Sequence, residues 1–221
     1  MNIRGFEFTI NNKSSSWVWG TLESWDPETF NWIEKNKGGE IFWDVGAWIG
    51  PFSLFGSKLF DNVISFEPDW VAAKVLEDHI NDNQLKNVTL VREGLYSDDT
   101  HVDFSFIGGK FGDSLSSICH KNSNSVKIKT LSITKAMELY GDPDFLKIDI
   151  EGGEEFLIDD LVKYKFKRFC MSNHGSYMGN RDVYQQKLND LLLPLYNCYN
   201  RKDEKIDYIP DDGDFYYELK K

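Results

Sequence analysis

Short apolar runs alternate with helical patterns along most of this 221-residue chain, and no other feature constrains its fold as strongly. A helical pattern follows four of the five runs, which are EIFWDV, NVISFEP, NVTLVREGLY, PDFLKIDIEG and FKRFCMSNH. Strands that alternate with helices usually pair in parallel, because each crossover helix returns the chain to the same end of the sheet. The sequence therefore predicts an α/β fold with a mostly parallel sheet and helices on both faces.

The two ends of the chain and one internal region depart from this alternation. THVDFSFIGG and SVKIKTLS alternate apolar and polar residues, which predicts an antiparallel excursion. YNCYNR and GDFYYELK predict an antiparallel C-terminal edge of the sheet. In residues 1–25, the apolar spacing of GFEFTI and SSSWVWGTLESW predicts a strand or hairpin extension. Residues 26–221 are then expected to form a single domain.

The composition of the chain argues against several kinds of partner and site. The net charge of −11 argues against wrapping a nucleic-acid backbone, which requires clustered Lys and Arg. The three cysteines are scattered and form no CxxC pair, so neither a disulfide framework nor a zinc cage is indicated. No apolar run reaches the roughly 18 residues of a membrane span, and the N-terminus lacks a signal-peptide layout. We expect a cytoplasmic protein that binds neither nucleic acid nor membrane.

The loop DVGAWIG follows the first central strand and opens a helix, the position at which parallel sheets bind ligands. Its spacing matches neither G-x-G-x-x-G nor the lysine-containing loop that cradles a triphosphate. Asp44, directly before the loop, would repel phosphates and would suit a cationic group, such as the amino-acid end of S-adenosylmethionine (SAM). A plain turn after a buried strand is the alternative.

A second acid, Glu67, ends the next strand in the segment ISFEPD. An acid at this point is placed to accept hydrogen bonds from a ribose diol. Acids at strand ends are common, so Glu67 alone indicates little. Together with the loop at Asp44, on an adjacent strand end, it favours a nucleoside-containing cofactor.

The third candidate segment is FLKIDIEGGEEFL, in which Lys147, Asp149 and Glu151 share one face of a predicted strand. Three charges in an apolar strand are expensive to bury without partners. They form a reactive site, or they lie on the solvent-exposed face of an edge strand, or they form a network of lysine and acids that only stabilises the sheet. Glu151 and Glu154 are also expected to stabilise the following turn or to bind substrate hydroxyls. His174 ends the fifth strand in SNHG and titrates near neutral pH.

These segments resemble the FkbM-type SAM-dependent methyltransferases. The resemblance covers roughly residues 41 to 161, in the family order, through FWDVGAWIGPFSLF, NVISFEPD, NVTLVREGLYSDD, VKIKTLSI and DFLKIDIEGGEEFLIDDL. It implies a class I methyltransferase fold, which is Rossmann-like, with SAM as cofactor. Family members commonly methylate hydroxyl oxygens, often on sugars or natural products.

The resemblance also implies positions for the parts of the cofactor. The loop between Asp44 and Gly50 would hold the methionine moiety, Glu67 the ribose, and the residues after the third strand the adenine. The residues implied to bind the cofactor are Asp44, Gly46, Ala47, Trp48, Gly50, Glu67, Glu93, Gly94 and Leu95. Trp48 departs from the family, which typically has Asn there. Its indole is expected either to contact or enclose the cofactor, or to pack beneath the N-terminal segment.

The sequence thus predicts an enzyme that uses SAM to methylate a hydroxyl of a sugar, glycan or other small molecule. An alcohol needs a base to take its proton, and Asp149 and His174 are the candidates. Lys147 and Glu151 complete the predicted catalytic set. A divalent metal held by Asp149, Glu151 and His174 is a further possibility. Two alternatives are a SAM-fold binding module without catalysis and a dinucleotide-dependent oxidoreductase, although the latter lacks G-x-G-x-x-G.

Overall fold

The computed structural model describes residues 1–12, 16–105, 112, 114–119 and 125–221, apart from the side chains of residues 16, 17 and 23. Within these ranges, strands β1 to β13 are Asn2–Ile3, Phe6–Glu7, Ile41–Val45, Asn62–Phe66, Val88–Val91, Gly94–Tyr96, His101–Ser105, Ser125–Ser132, Phe145–Ile148, Arg168–His174, Tyr196–Tyr199, Lys205–Ile206 and Asp212–Leu219. Helices α1 to α7 are Ser16–Trp25, Pro27–Lys35, Pro51–Gly56, Trp70–Asp82, Ile133–Tyr140, Ile158–Tyr164 and Arg181–Lys187. Two 3₁₀ turns, Gly153–Phe156 and Gly175–Tyr177, and a π-helical turn, Leu188–Leu192, complete them.

The main sheet has eight strands in the order β12-β11-β13-β10-β9-β3-β4-β5. The five strands from β10 to β5 in this order pair in parallel. Strand β13 is antiparallel to both β10 and β11, and β12 is antiparallel to β11. The prediction of a mostly parallel sheet with an antiparallel C-terminal edge is therefore confirmed.

Hydrophobic cores lie on both faces of this sheet, as the alternation of strands and helices predicts. Along β3, Trp43 and Val45 belong to one core, whereas Phe42 belongs to the other. Residues of α5, α6 and α7 line the first core, and residues of α1 to α4 line the second. Successive strand side chains point to opposite faces, so a strand buried on both sides is apolar almost throughout. The one charged residue of β3 is Asp44.

A small second sheet, in the order β6-β8-β7, contains the predicted antiparallel excursion. Strands β7 and β8 pair antiparallel, and β6 joins β8 in parallel. The run NVTLVREGLY is therefore not one strand. Its first part forms β5 in the main sheet and its last part forms β6 in the small one, so the residues between them lie where the two sheets meet.

The N-terminal extension is only partly as predicted. Strands β1 and β2 form the expected antiparallel hairpin, but Ser16–Trp25 is a helix, so the strand prediction for that stretch is wrong. Val18, Trp19 and Leu22 are buried in the core, and this i, i+1, i+4 spacing is the apolar face of a helix. The alternating tryptophans had suggested a strand period. Across the described ranges, no helix has the length and apolarity to cross a membrane.

Candidate active site

A cavity of about 320 Å³ opens where the parallel strands β3, β4, β9 and β10 end. Ten residues predicted from the sequence line it, namely Gly46, Ala47, Trp48, Glu67, Gly94, Leu95, Lys147, Asp149, Glu151 and His174. Three others, Asp44, Gly50 and Glu93, lie outside its lining. The structure therefore brings most of the predicted site together at the edge where α/β sheets bind ligands.

The two loop glycines are required by packing. Gly46 has a φ of +79°, and a Cβ there would lie 1.8 Å from the carbonyl oxygen of Asp149. Gly50 has a φ of +92°, and its Cβ would lie 2.2 Å from a methyl carbon of Leu76. The loop thus passes so close to the end of β9 and to α4 that no side chain fits at either position.

Asp44 is buried behind the cavity. Its Oδ2 accepts a hydrogen bond from the Ser53 hydroxyl (2.6 Å), and its Oδ1 lies 3.3 Å from Nζ of Lys147. Lys147 also donates to the carbonyl of Gly46 (2.9 Å). Burial opposes the charged ammonium, but Asp44 and Asp149 outweigh that effect and raise the pKa of Lys147. Asp44 therefore stabilises the loop through Lys147, and its carboxylate does not face a ligand in the cavity.

Glu67 lies at the end of β4 and faces the cavity. Its Oε2 accepts a hydrogen bond from the backbone N–H of Trp48 (2.7 Å), and its Oε1 accepts one from the N–H of Asp69 (2.8 Å). Burial raises the pKa of Glu67 to about 8. The carboxyl group is thus fixed between two backbone loops, and it can still form hydrogen bonds with a ligand.

Trp48 combines the two roles that the sequence left as alternatives. It lines the cavity, is only 9% exposed, and its ring lies 6.3 Å from that of Trp25 in α1. Its indole Nε1 donates to the carbonyl of Gly112 (3.0 Å). The indole therefore both encloses the cavity and packs against the N-terminal segment.

His174 lies within a cluster of three carboxylates. Its Nε2 lies 3.5 Å from Oε2 of Glu151 and 3.8 Å from Oδ1 of Asp149. Its Nδ1 lies 3.0 Å from Oε1 of Glu154, which is fully buried. Glu154 also accepts the backbone N–H groups of Ile150 and Gly152, so it stabilises the turn after β9 as the sequence suggested.

The electrostatics of this cluster determine where protons reside. Burial opposes a charged imidazole, but the hydrogen bond that His174 donates to Glu154 and the three nearby carboxylates raise the pKa of His174 to about 10. Burial, followed by repulsion from Asp149, raises the pKa of Glu151 to about 8. The Oε2 of Glu151 is buried and has no hydrogen-bond partner among the described residues. At neutral pH the imidazole is charged, and the carboxyl group of Glu151 titrates near pH 8.

The same three side chains, Asp149, Glu151 and His174, place potential metal-ligand atoms within 4.8 Å of one another. Oxygen and nitrogen ligands suit Mg²⁺ or Mn²⁺. A cation would compete here with the proton that already makes His174 positive. The three side chains could thus hold a metal ion, and the protonated imidazole of His174 is the alternative source of positive charge among them.

Sequence reasoning missed several residues that line the cavity, and aromatic residues are prominent among them. Tyr177 stacks on His174, with ring centroids 5.6 Å apart and an interplanar angle of 6°. Phe52 lines the cavity beside Lys147, whose Nζ lies 5.1 Å from its ring centroid. Trp25, which the tryptophan pattern placed in a strand, is 39% exposed and also lines the cavity. In sequence these aromatic residues are indistinguishable from core residues.

No family model matches this sequence, and no curated protein matches it. Its structure is similar to that of the methyltransferase FkbM from Methylobacillus flagellatus KT, with a TM-score of 0.51 and 18% identity over 81% of this chain. This chain spans 43% of the length of that protein.

Two further structures cover the chain more completely. The Streptococcus mutans protein SMU.1697c in complex with SAH (S-adenosylhomocysteine) gives a TM-score of 0.53 and 10% identity, covering 87% of this chain and 96% of that one. An rRNA methylase from Streptococcus thermophilus gives 0.51 and 11% identity, covering 87% and 93%. The chain thus has the class I methyltransferase fold, and the likeness to FkbM agrees with the resemblance drawn from the sequence.

Proposed function

We propose that this protein is a SAM-dependent methyltransferase that methylates a hydroxyl oxygen of a small molecule, such as a sugar or another glycan unit. The observation that carries the proposal is the convergence of Glu67, Lys147 and the His174 cluster on one cavity at the strand ends. The fold shared with FkbM and with the SAH-bound Streptococcus mutans protein supports it.

The cavity residues fit the cofactor. The carboxyl group of Glu67 suits ribose hydroxyls, and the carboxylate of Asp149 favours cationic groups. The charge of Lys147 is balanced by buried Asp44, so among the described residues the cavity lining offers no further lysine for a phosphate chain. This arrangement disfavours a dinucleotide and favours SAM. When bound, SAM supplies a methyl group on a positively charged sulfur.

In the proposed reaction, the carboxylates around His174 accept the proton that the acceptor hydroxyl loses. The acceptor hydroxyl donates to the carboxylate of Glu151, a residue that lines the cavity. Bound SAM would supply the methyl group to the acceptor oxygen and would leave as SAH, and Glu151 would take the proton that the acceptor loses. His174, already protonated, orients Asp149 and Glu151 and does not accept the proton.

The base assigned here therefore differs from the sequence prediction. A pKa of about 10 leaves His174 protonated at neutral pH, whereas Glu151 titrates at about 8. A base is most effective when its pKa lies near the working pH. This supports a carboxylate as the base, with Glu151 in that role and Asp149 beside it.

The lining also indicates the kind of acceptor. Exposed Trp25 at the cavity offers an aromatic surface, and the acids beyond it repel phosphate groups. Aromatic faces combined with carboxylates suit a neutral ring that carries several hydroxyls. The chain's net charge of −11 further disfavours a polyanionic acceptor. RNA remains the second candidate acceptor, because an rRNA methylase is among the similar structures.

Calorimetry with SAM, SAH and NAD tests cofactor binding, and release of SAH in an acceptor panel tests turnover. The panel contains sugars, glycosides, other hydroxylated small molecules and an rRNA transcript. We expect SAM and SAH to bind, NAD not to bind, and SAH release with a hydroxylated small molecule. Binding of NAD without SAM would indicate an oxidoreductase, binding without turnover would indicate a binding module, and turnover with rRNA alone would overturn the small-molecule acceptor.

A further inference from the structure

Four residues around the cavity form a closed circuit of hydrogen bonds. The backbone N–H of Trp48 donates to Glu67, and the N–H of Asp69 donates to the other oxygen of the same carboxylate. The N–H of Gly112 donates to Oδ2 of Asp69 (2.6 Å), and its carbonyl accepts from the Trp48 indole (3.0 Å). The circuit therefore links three separate parts of the chain around Glu67.

Trp48 adopts an unusual backbone conformation to join this circuit. Its φ is +48°, in the left-handed region that non-glycine residues other than Asn and Asp rarely occupy. Such a conformation is maintained only where surrounding contacts compensate for it. Here the compensating contacts include one hydrogen bond from the backbone of Trp48 and one from its indole.

Gly112 is also constrained by its position. Its φ is +84°, and a Cβ there would lie 2.9 Å from Cγ1 of Val71. Asp69 meanwhile uses its Oδ1 to cap helix α4, accepting the N–H groups of Val71 and Ala72 (2.8 and 3.3 Å). The circuit is therefore anchored to the start of a 13-residue helix.

We propose that Trp48 is a positioning residue for the ribose of the cofactor, because its indole closes the circuit through Gly112 and Asp69 that fixes the Glu67 carboxylate in the cavity wall. The inference rests on the proposed function, since it assigns the ribose of SAM to Glu67. Without the indole hydrogen bond, Glu67 keeps its two backbone hydrogen bonds but loses part of the framework that sets its orientation. Binding energy from the ribose hydroxyls then falls, while contacts elsewhere on the cofactor remain.

The test uses Trp48→Phe, which removes the indole N–H and retains an aromatic ring. The probes are SAH and its 2′-deoxyribose analogue, titrated into the full-length protein by calorimetry. We expect SAH to bind about three- to tenfold more weakly to the variant, the range for one hydrogen bond. The preference of the wild-type protein for SAH over the 2′-deoxy analogue should shrink by at least about threefold. A purely structural role would weaken both probes equally.

A second variant, Asp69→Asn, interrupts the circuit at another bond and retains a good helix cap. If its amide nitrogen faces the Gly112 N–H, two donors meet, so the preference for SAH should again shrink. Trp70→Phe makes the same indole-to-phenyl change on a side chain that is 63% exposed and outside the cavity lining, and it should bind as the wild type does.

The two levels of the proposal fail in different ways. If the wild-type protein binds neither SAM nor SAH, the proposed function is wrong. If the wild type binds SAH and Trp48→Phe keeps the full preference over the 2′-deoxy analogue, the positioning role of Trp48 is wrong and the proposed function stands. If Trp48→Phe shows no cooperative thermal unfolding and is therefore not folded, Asp69→Asn is titrated in its place. The same outcomes then apply.

Discussion

His174 and Glu154 are joined by a 3.0 Å hydrogen bond between the imidazole Nδ1 and a carboxylate that is fully buried. The same carboxylate accepts two backbone N–H groups from the turn after β9, so one side chain fixes both that turn and a ring on the neighbouring strand. The other imidazole nitrogen is thereby directed at Asp149 and Glu151. The orientation of the proposed reacting groups thus depends on a residue outside the cavity lining.

Replacing Glu154 with Gln should lower turnover more than cofactor binding. The amide keeps the size of the side chain but removes the charge that raises the pKa of His174. Its single oxygen also cannot accept all three N–H groups that the carboxylate accepts, which are those of Ile150, Gly152 and His174. We expect kcat to fall about tenfold, equivalent to about 1.4 kcal/mol, with Kd for SAM within about twofold of the wild type. Glu155→Gln is the matched control. Equal losses in the two variants would contradict a positioning role.

The proposed base predicts a rise of kcat with pH. Because burial raises the pKa of Glu151 to about 8, the carboxylate is mostly protonated at pH 7 and becomes available as pH increases. The profile of kcat should therefore rise to a plateau with an apparent pKa near 8. Glu151→Gln should reduce kcat by about 10²- to 10⁴-fold and abolish this dependence. A variant with near wild-type kcat would move the base to Asp149.

The buried pair of Lys147 and Asp44 should be strongly coupled in stability. Lys147→Met leaves the carboxylate of Asp44 in the core with Ser53 as its remaining partner. Removing one member of a buried ion pair destabilises a protein by about 3 to 5 kcal/mol. Adding Asp44→Asn should restore part of that loss, as measured by urea unfolding. Additive effects of the two substitutions would show that the pair is not coupled.

Glu67 should make the protein less stable as pH rises. Its folded-state pKa of about 8 exceeds the ordinary value of 4.5, so between these values the folded protein retains a proton that the unfolded chain has released. The Glu67 contribution is therefore present at pH 4.5 and declines toward pH 8. Glu67→Gln cannot titrate, so the difference between its free energy of unfolding and that of the wild type should shift in favour of the variant from pH 5 to pH 8. A constant difference in urea unfolding would contradict this.

Activity should survive removal of divalent metal ions. The protonated imidazole of His174 already places a positive charge between Asp149 and Glu151, where a metal would otherwise bind. We expect turnover after dialysis against EDTA to match that of the untreated protein. Loss of turnover that Mg²⁺ or Mn²⁺ restores would instead assign a metal to these three side chains.

Much of the architecture follows from local sequence patterns. Apolar runs followed by helical patterns predicted the parallel strands, the helices on both faces and the antiparallel edge, because each of these depends on periodicity within a short segment. The prediction failed for Ser16–Trp25, where two alternating tryptophans resemble a strand. Only the core against which Val18 and Leu22 pack determines that this stretch is a helix.

The sequence by itself also placed acids and a histidine at the strand ends, but the tertiary structure decided which of them face the cavity. Asp44 and Lys147 are register partners on adjacent strands, so the carboxylate of Asp44 forms an ion pair with Lys147 behind the loop. His174 is protonated because carboxylates from a different segment surround it. Periodicity is a property of one segment, whereas ion pairing and protonation depend on distances between segments that only the folded chain establishes.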